Sequence, residues 1–428
     1  MNSEGCTRLL EGLIVLDCSI LGPGLAGGLL ADLGARVIKI ESRSGDDIRR
    51  VTWPIVHERD GLGEVESNSL FHLHVNRSKE SVVLDLSNPE SHSVFEDLIR
   101  RADVLIEGMR PHFLERKGFA FDRLTQINPS LVFCSISGFG IDGPYENFPS
   151  HGVGFDAWCG VIRPDVEADG SLEIPDQVNV GMTFGPSLAA TAILAAVLRA
   201  RSTGRPANLE ISQADAAAYF DWYRIETERA YCRPQDEVSG VIADDGRRRA
   251  PGLAGLRGAV RYQFYETSDG HVLFMASERK FWRNFCEAVG RLDLFDRFPG
   301  AEVGDHAVGN RELKSQLRKV FASRTTAEWL SVSETFDVPI VPANSHADLD
   351  RDPQFVDRFR WWDRDLLGAD QLELPIRLDG GGVGPPHRAP RHGEHTLHVL
   401  SDLLEYSPDQ VERLRRLNVV APNLESFK

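Results

Sequence analysis

Gly22, Gly24 and Gly27 spell G-x-G-x-x-G within "LIVLDCSILGPGLAGGLLADLGARVIKIE", residues 13–41. An apolar run precedes the glycines, a helix-like run follows, and Glu41 closes a second apolar run. Such spacing suits a dinucleotide: the glycines bring backbone N–H groups to a pyrophosphate, and the acid holds a ribose hydroxyl. Two details spoil the cradle. The first glycine should follow its strand directly, yet Asp17 and Ser19 intervene, and Pro23 has no N–H to offer. The expectation is a tight strand-to-helix turn on a Rossmann-like sheet, without nicotinamide or flavin.

The elements around that turn alternate. "LIVLDCS", "RVIKIE", "ESVVLDL", "DVLIEGM" and "LVFCSISG" are strand-like, with helix-like runs such as "LAGGLLADLGA" and "NPESHSVFEDLIRRA" between them. This β-α-β rhythm predicts a parallel sheet covered by helices. "GPSLAATAILAAVLRARSTGR" is a long small-residue helix with Gly204 as its stop, and "NLEISQADAAAYFDWYRIETERA" is a strand leading into a helix. Residues 233–258 are polar and Gly-rich, which suits an exposed connection. "RYQFYETSDGHVLFMAS" reads as a hairpin turning at Ser268-Asp269-Gly270, followed by helices and the strand-like "VPIVPAN". The organisation expected is α/β: a large Rossmann-like domain over 1–225, a smaller α+β domain over 226–339, and a segment over 340–428 returning to the large domain.

Composition excludes several classes. With 48 Lys and Arg against 64 Asp and Glu, the formal charge is −16. Nucleic acid and anionic membranes reward basic surface, so neither is the expected partner. The six cysteines, Cys6, Cys18, Cys134, Cys159, Cys232 and Cys286, form no C-x-x-C pair and suit reduced, mostly buried thiols. No signal-peptide pattern and no charge-free apolar run of membrane length stand out, so a cytoplasmic protein is expected. No metal-ligand spacing, G-x-S-x-G or P-loop occurs.

Six ordered blocks narrow the field: "LADLGARVIKIE", "NRSKESVVLDL", "ADVLIEGMRPHFLERKGF", "NPSLVFCSISGFGIDGP", "RSTGRPANLEISQADA" and "APRHGEHTLHVL". Together they resemble the class III CoA-transferase and α-methylacyl-CoA racemase family, from about Leu10 to Leu400. The resemblance implies a CoA thioester as substrate rather than a bound cofactor, a carboxylic acid as acyl partner, and an interlocked dimer. It implies that basic residues meet the CoA phosphates, as arginine and lysine do well. The candidates are Arg43, Arg77, Lys79, Arg110, Arg116 and Lys117.

The catalytic position is where the chain departs from that family. An aspartate there carries the acyl group in the transferases and serves as half of an acid/base pair in the racemases. Alignment on "ILAAVLRARSTGR" puts Met182 in its place, and a shift by one residue puts Gly181 there. Neither is a nucleophile or a base. Asp176 is the nearest carboxylate upstream, and six extended residues would hold it about 15 Å or more away. His151 and Glu278 match the racemase histidine and supporting glutamate. Each also has a plainer role available, as a hydrogen-bonded structural histidine and as a carboxylate favoured at a helix N-terminus. "GLAGLRG", residues 252–258, suits a glycine-rich active-site loop or a flexible linker equally. Two expectations compete. One is a CoA-transferase, acting alone or as the degenerate subunit of a heteromer whose paralogous subunit supplies the aspartate. The other is a racemase or epimerase using His151, and either could assemble as a homodimer.

Overall fold

The computed structural model describes residues 8–59, 65–149, 151–240, 242, 248–250, 252–302 and 304–420. Cys6 and part of the 233–258 connection lie outside them. The chain divides into two compact units, one formed by Met1–Asp221 with Phe359–Lys428, the other by Trp222–Arg358.

The larger unit is built on six parallel strands: β1 (Ile14–Ser19), β2 (Arg36–Glu41), β3 (Lys79–Val83), β4 (Val104–Gly108), β5 (Val132–Ser137) and β6 (Ala207–Ser212). Their spatial order is β3-β2-β1-β4-β5-β6. Val15 of β1 stands opposite Val37 of β2 on one side and Val104 of β4 on the other. The winding reverses at β1, and open α/β sheets bind ligands in the crevice outside the carboxyl ends of the strands at such a reversal, here β1 and β4.

Both faces of the sheet are apolar, so its strands read as nearly continuous hydrophobic runs. On one face, Leu16, Ile38, Leu105 and Phe133 pack with Val94, Phe95, Leu98 and Ile99 of α3 (His92–Arg101). The C-terminal Val399, Leu400 and Leu414 return to the same face. On the other, Val15, Val37, Val104 and Ile106 pack with Ala26 and Leu30 of α1 (Gly24–Asp32) and Ala189, Ile193 and Val197 of α5 (Val180–Thr203). Gly204 ends α5 at φ 66°, the left-handed cap that favours glycine. By length and hydropathy α5 could cross a membrane; here its alanine and isoleucine face is part of the core. A hairpin, Ile55–Arg59 with Val65–Ser69, and the short α2 (Leu70–Val75) intervene between β2 and β3.

The smaller unit carries three antiparallel strands, β7 (Tyr262–Glu266), β8 (His271–Met275) and β9 (Ile340–Pro342). Thr267 N–H bonds the Gly270 carbonyl at 2.9 Å across the expected hairpin turn. Helices α7 (Arg279–Ala288), α8 (Arg311–Phe321) and α9 (Thr326–Phe336) cover the sheet through Trp282, Phe285, Phe321 and Trp329. One expected boundary moves. The return to the larger unit comes after Arg358, not at 340, because β9 pairs with β8 and holds its segment in the smaller unit.

Candidate functional site

Two glycines of the motif, Gly24 and Gly27, make room for buried charge. A Cβ on Gly27 would come within 2.7 Å of the Asp17 carboxylate. Lys79 reaches the same carboxylate at 2.7 Å, and also donates to the Gly24 carbonyl at 2.7 Å and to Asn76 Oδ1 at 3.0 Å. Lys39 donates to the Ser19 carbonyl and pairs with Asp46. Burial pushes the Asp17 carboxyl up, but Lys79 and Lys39 outweigh it and hold it below its ordinary value. Glu41, the motif's acid, is likewise consumed: it pairs with Arg49 at 2.9 Å and accepts from Ser81 at 2.6 Å. Burial raises its pKa, while Arg49, Lys39 and Ser81 together bring it down to about 2.

Two of the phosphate candidates have their donors engaged inside the protein. An ammonium has three donors, and Lys79 has spent all three inside the protein. Arg77 is buried too, held by Asp32 at 2.6 Å and donating to Gln371 and the Leu372 carbonyl. Both secure the fold. The other four stand differently. Arg43 is exposed in the loop after β2, and Arg110 is exposed two residues after β4. Arg116 is exposed, with one donor on the Pro111 carbonyl. Lys117 donates to Ser87 and lies over the Phe113 ring. Glu107, at the end of β4, accepts from Leu114 N–H at 2.6 Å and from Ser135 at 3.2 Å. It thereby pins the loop that carries Arg110.

Met182 lies in the first turn of α5, partly buried. Its side chain crosses to the turn after β1: a Cβ on Gly22 would stand 2.6 Å from Met182 Cγ. On its other side is α4 (Gly152–Trp158), where a Cβ on Gly152 would stand 3.2 Å from the Met182 sulfur. His151 precedes that glycine, at the N-cap position of α4, and is exposed. The fold therefore gathers Gly22, Met182 and the helix headed by His151 at the carboxyl edge of the sheet. Pro186 has no N–H to return to the Met182 carbonyl four residues before it.

One carboxylate escaped the sequence. Asp156, fully buried in α4, accepts from Val180 N–H and Gly181 N–H, each at 2.8 Å, with a different oxygen for each. It is a cap supplied across 24 residues of chain, so no local capping pattern announces it. A carboxylate set between Phe155 and Trp158 was the available clue. Asp156 satisfies the start of α5, so Asn179, at the N-cap position, makes no capping bond and its Oδ1 takes no hydrogen bond from any described residue. Asp176 is exposed in the strand-free stretch before α5.

Glu278 lies in the smaller unit, exposed at the N-cap position of α7 and accepting from the Ser277 hydroxyl at 3.0 Å. Gly252–Leu256 form a 3-10 turn of that unit. Among the described residues no group of three or more His, Cys, Asp or Glu is placed to hold a metal.

Comparisons with known proteins match this architecture. The profile of CoA-transferase family III covers residues 10–396. The chain is 31% identical over 404 residues to the succinyl-CoA:mesaconate CoA-transferase of Haloarcula hispanica, spanning 92% of this chain and 96% of that one. It is 27% identical over 437 residues to the succinyl-CoA–L-malate CoA-transferase beta subunit of Chloroflexus aurantiacus, spanning 98% and 100%. Among solved structures, a CAIB/BAIF family protein from Brucella suis superposes with a TM-score of 0.73 at 25% identity, over 93% of this chain and 100% of that one. The chain belongs to CoA-transferase family III.

Proposed function

We propose that this chain binds an acyl-CoA thioester at the carboxyl edge of its parallel sheet and serves a CoA-transferase as the subunit without an aspartyl acyl carrier. A paralogous subunit supplies the aspartate. One observation carries the proposal. Met182 packs against Gly22 where the carrier is expected, and the carboxylate beside it, Asp156, has both oxygens committed to α5. A thioether cannot attack a thioester carbonyl and hold the acyl group as an anhydride. The similarity to a protein named as one subunit of a transferase supports the arrangement. Arg43, Arg110 and Arg116 meet the phosphates, and Lys117 stands behind them.

Assembly belongs to the same proposal. The stretch between α4 and α5, where Asp165–Val166 pair with Leu172–Glu173, bears exposed Val166, Leu172, Ile174 and Val178. The helix Trp222–Tyr231 of the smaller unit buries none of its residues and exposes Trp222, Tyr223 and Ile225. Apolar surface of that extent is ordinarily covered by another chain, here a second copy or the paralogue, in a cytoplasmic dimer.

The test is turnover and trapping. The pure homomer should show little transferase activity with several acyl-CoA donors and carboxylate acceptors, and hydroxylamine should release no acyl group from it. Co-purification with an aspartate-bearing paralogue should restore both. Robust turnover by the homomer would overturn the proposal.

A second possibility has its own observation: the helix headed by His151 touches the Met182 sulfur through Gly152. An imidazole can exchange a proton at Cα. Racemisation needs a second group on the opposite face, which Met182 cannot be. Solvent deuterium entering Cα of a 2-methylacyl-CoA in the homomer, and lost in His151→Ala, would favour this epimerase chemistry.

A further inference from the structure

Gln213 follows β6 directly and begins α6 (Gln213–Phe220). It is 5% exposed. Its Nε2 donates to the Ser137 carbonyl at 3.4 Å. That contact sets the direction of the amide, since turning it over would press Oε1 against another acceptor. Oε1 then faces the turn after β1, 3.5 Å from where a Cβ on Gly22 would stand, beside Met182. No described residue donates to it.

The glycines of α5 bring it there. A Cβ on Gly185 would lie 3.1 Å from Gln213 Cγ, and one on Gly181 would lie 2.9 Å from the Gln213 carbonyl oxygen. Larger residues would keep the start of α6 and α5 apart. The close approach thus holds a buried acceptor against the substrate crevice. An unmet buried amide oxygen is costly and rare, and one in a native protein calls for a donor from outside.

The chemistry of the surroundings says which donor. Gly22, Gly152, Asn179, Met182 and Gln213 include no cation, and Asn179 contributes a second unpartnered oxygen. A carboxylate entering here would add acceptor to acceptor. A neutral amide N–H would complete the pairing, and the pantetheine arm of CoA carries amide N–H groups next to its sulfur end. We propose that Gln213 is a ligand-contacting residue whose Oε1 accepts a hydrogen bond from a pantetheine amide N–H of the bound thioester. The inference rests on the CoA-binding proposal above. It also means that the free carboxylate of the acyl partner is not received at Gln213.

Calorimetry separates the two claims. Wild type and Gln213→Met are titrated with CoA and with adenosine 3′,5′-bisphosphate, which lacks the pantetheine arm. Gln213→Met should bind CoA roughly three- to tenfold more weakly, the worth of one neutral hydrogen bond, and the bisphosphate unchanged. If wild type binds neither ligand, CoA binding itself is refuted. If wild type binds CoA and the variant binds it equally, the Gln213 assignment is refuted and CoA binding stands. The unliganded variant should melt close to wild type, because removing the unmet acceptor offsets the loss of the long 3.4 Å bond to the Ser137 carbonyl. A lower melting temperature with unchanged CoA affinity would mark Gln213 as structural. Should Gln213→Met not fold, CoA analogues with an ester oxygen replacing each pantetheine amide N–H in turn test the same bond on wild type. Loss of three- to tenfold for one of them supports it, and full affinity for both overturns it.

Discussion

Two glycine-lined clusters flank the end of β1, and they have opposite characters. Around Gly24 and Gly27, Lys79 meets Asp17, Asn76 and a backbone carbonyl, so every donor of the ammonium is used. Around Gly22, Gly181 and Gly185, Met182 and Gln213 meet in the same close manner, but Gln213 Oε1 and Asn179 Oδ1 take no hydrogen bond from any described residue. Both clusters draw on glycine for close approach. In the first, the Lys79 ammonium keeps no donor for a ligand. The second keeps acceptors in hand at the crevice where the sheet's winding reverses. Glycine spacing alone does not reveal which is which; the pairing of the polar atoms does.

The largest effect should come from unbalancing the first cluster. Lys79→Met leaves Asp17 charged and buried without its partner, and about 3–5 kcal/mol of folding stability should be lost in urea unfolding. A loss of CoA affinity with stability intact would instead make Lys79 a ligand contact and undo the distinction.

Next is the pH dependence of that same cluster. His72 lies between Arg49 and Asn76, and burial followed by the Arg49 charge lowers its pKa to about 2. The folded protein refuses a proton that the unfolded chain takes near pH 6.5. Its contribution is therefore intact above pH 6.5, and stability should fall on acidification below it by about 1.4 kcal/mol per pH unit. His74, lowered to about 4 by burial and then Arg77, adds to the slope down to that pH. Glu41 enters later. Its carboxyl is depressed, so its stabilisation is present above about 4.5 and lost as pH falls toward about 2. Unfolding free energies between pH 7.5 and 5 should show the slope, and His72→Gln should remove about half of it, leaving the His74 share.

Smaller effects are expected on the crevice side. Arg110→Ala should weaken CoA roughly tenfold with no change in melting temperature, since the side chain is exposed after β4. Unchanged affinity would remove it from the phosphate site. The smallest is a null. Asp176→Asn should alter neither melting temperature nor the activity of the reconstituted transferase, because the residue is exposed and outside any strand or helix. A loss of activity would mean that Asp176 reaches the chemistry by a rearrangement of the stretch before α5.

Much of the fold was legible because it rests on local patterns. The apolar runs became the strands of the parallel sheet, Gly204 stopped α5 where its spacing suggested, and Ser268-Asp269-Gly270 turned the hairpin. The region from Arg49 to Asn76 was opaque, because its hairpin and α2 carry no strong period and its meaning lies in pairing with Glu41 and Lys79. The site was legible in part. Counting along the sequence put Met182 near the start of a helix, and it lies in the first turn of α5. The burial of Lys79 and Arg77 could not be read in advance, because a basic residue in a surface loop and one in a buried pair are the same letter. Asp156 and Gln213 went unseen, since their partners lie 24 to 76 residues away.

What the sequence determined by itself was the alternation of strands and helices, the net negative charge, and the presence of a thioether rather than a carboxylate at position 182. These follow from the order of side chains along the chain, and no packing can return to methionine a basicity it lacks. What only the tertiary structure decided was the use of each polar group. Whether a lysine is spent or free, whether an aspartate caps a helix or faces a crevice, and whether a glutamine oxygen has a donor are all settled by distances of about 3 Å between residues far apart in sequence. Folding brings those atoms together, and burial then makes each pairing, or its absence, consequential by removing the water that would otherwise have satisfied it.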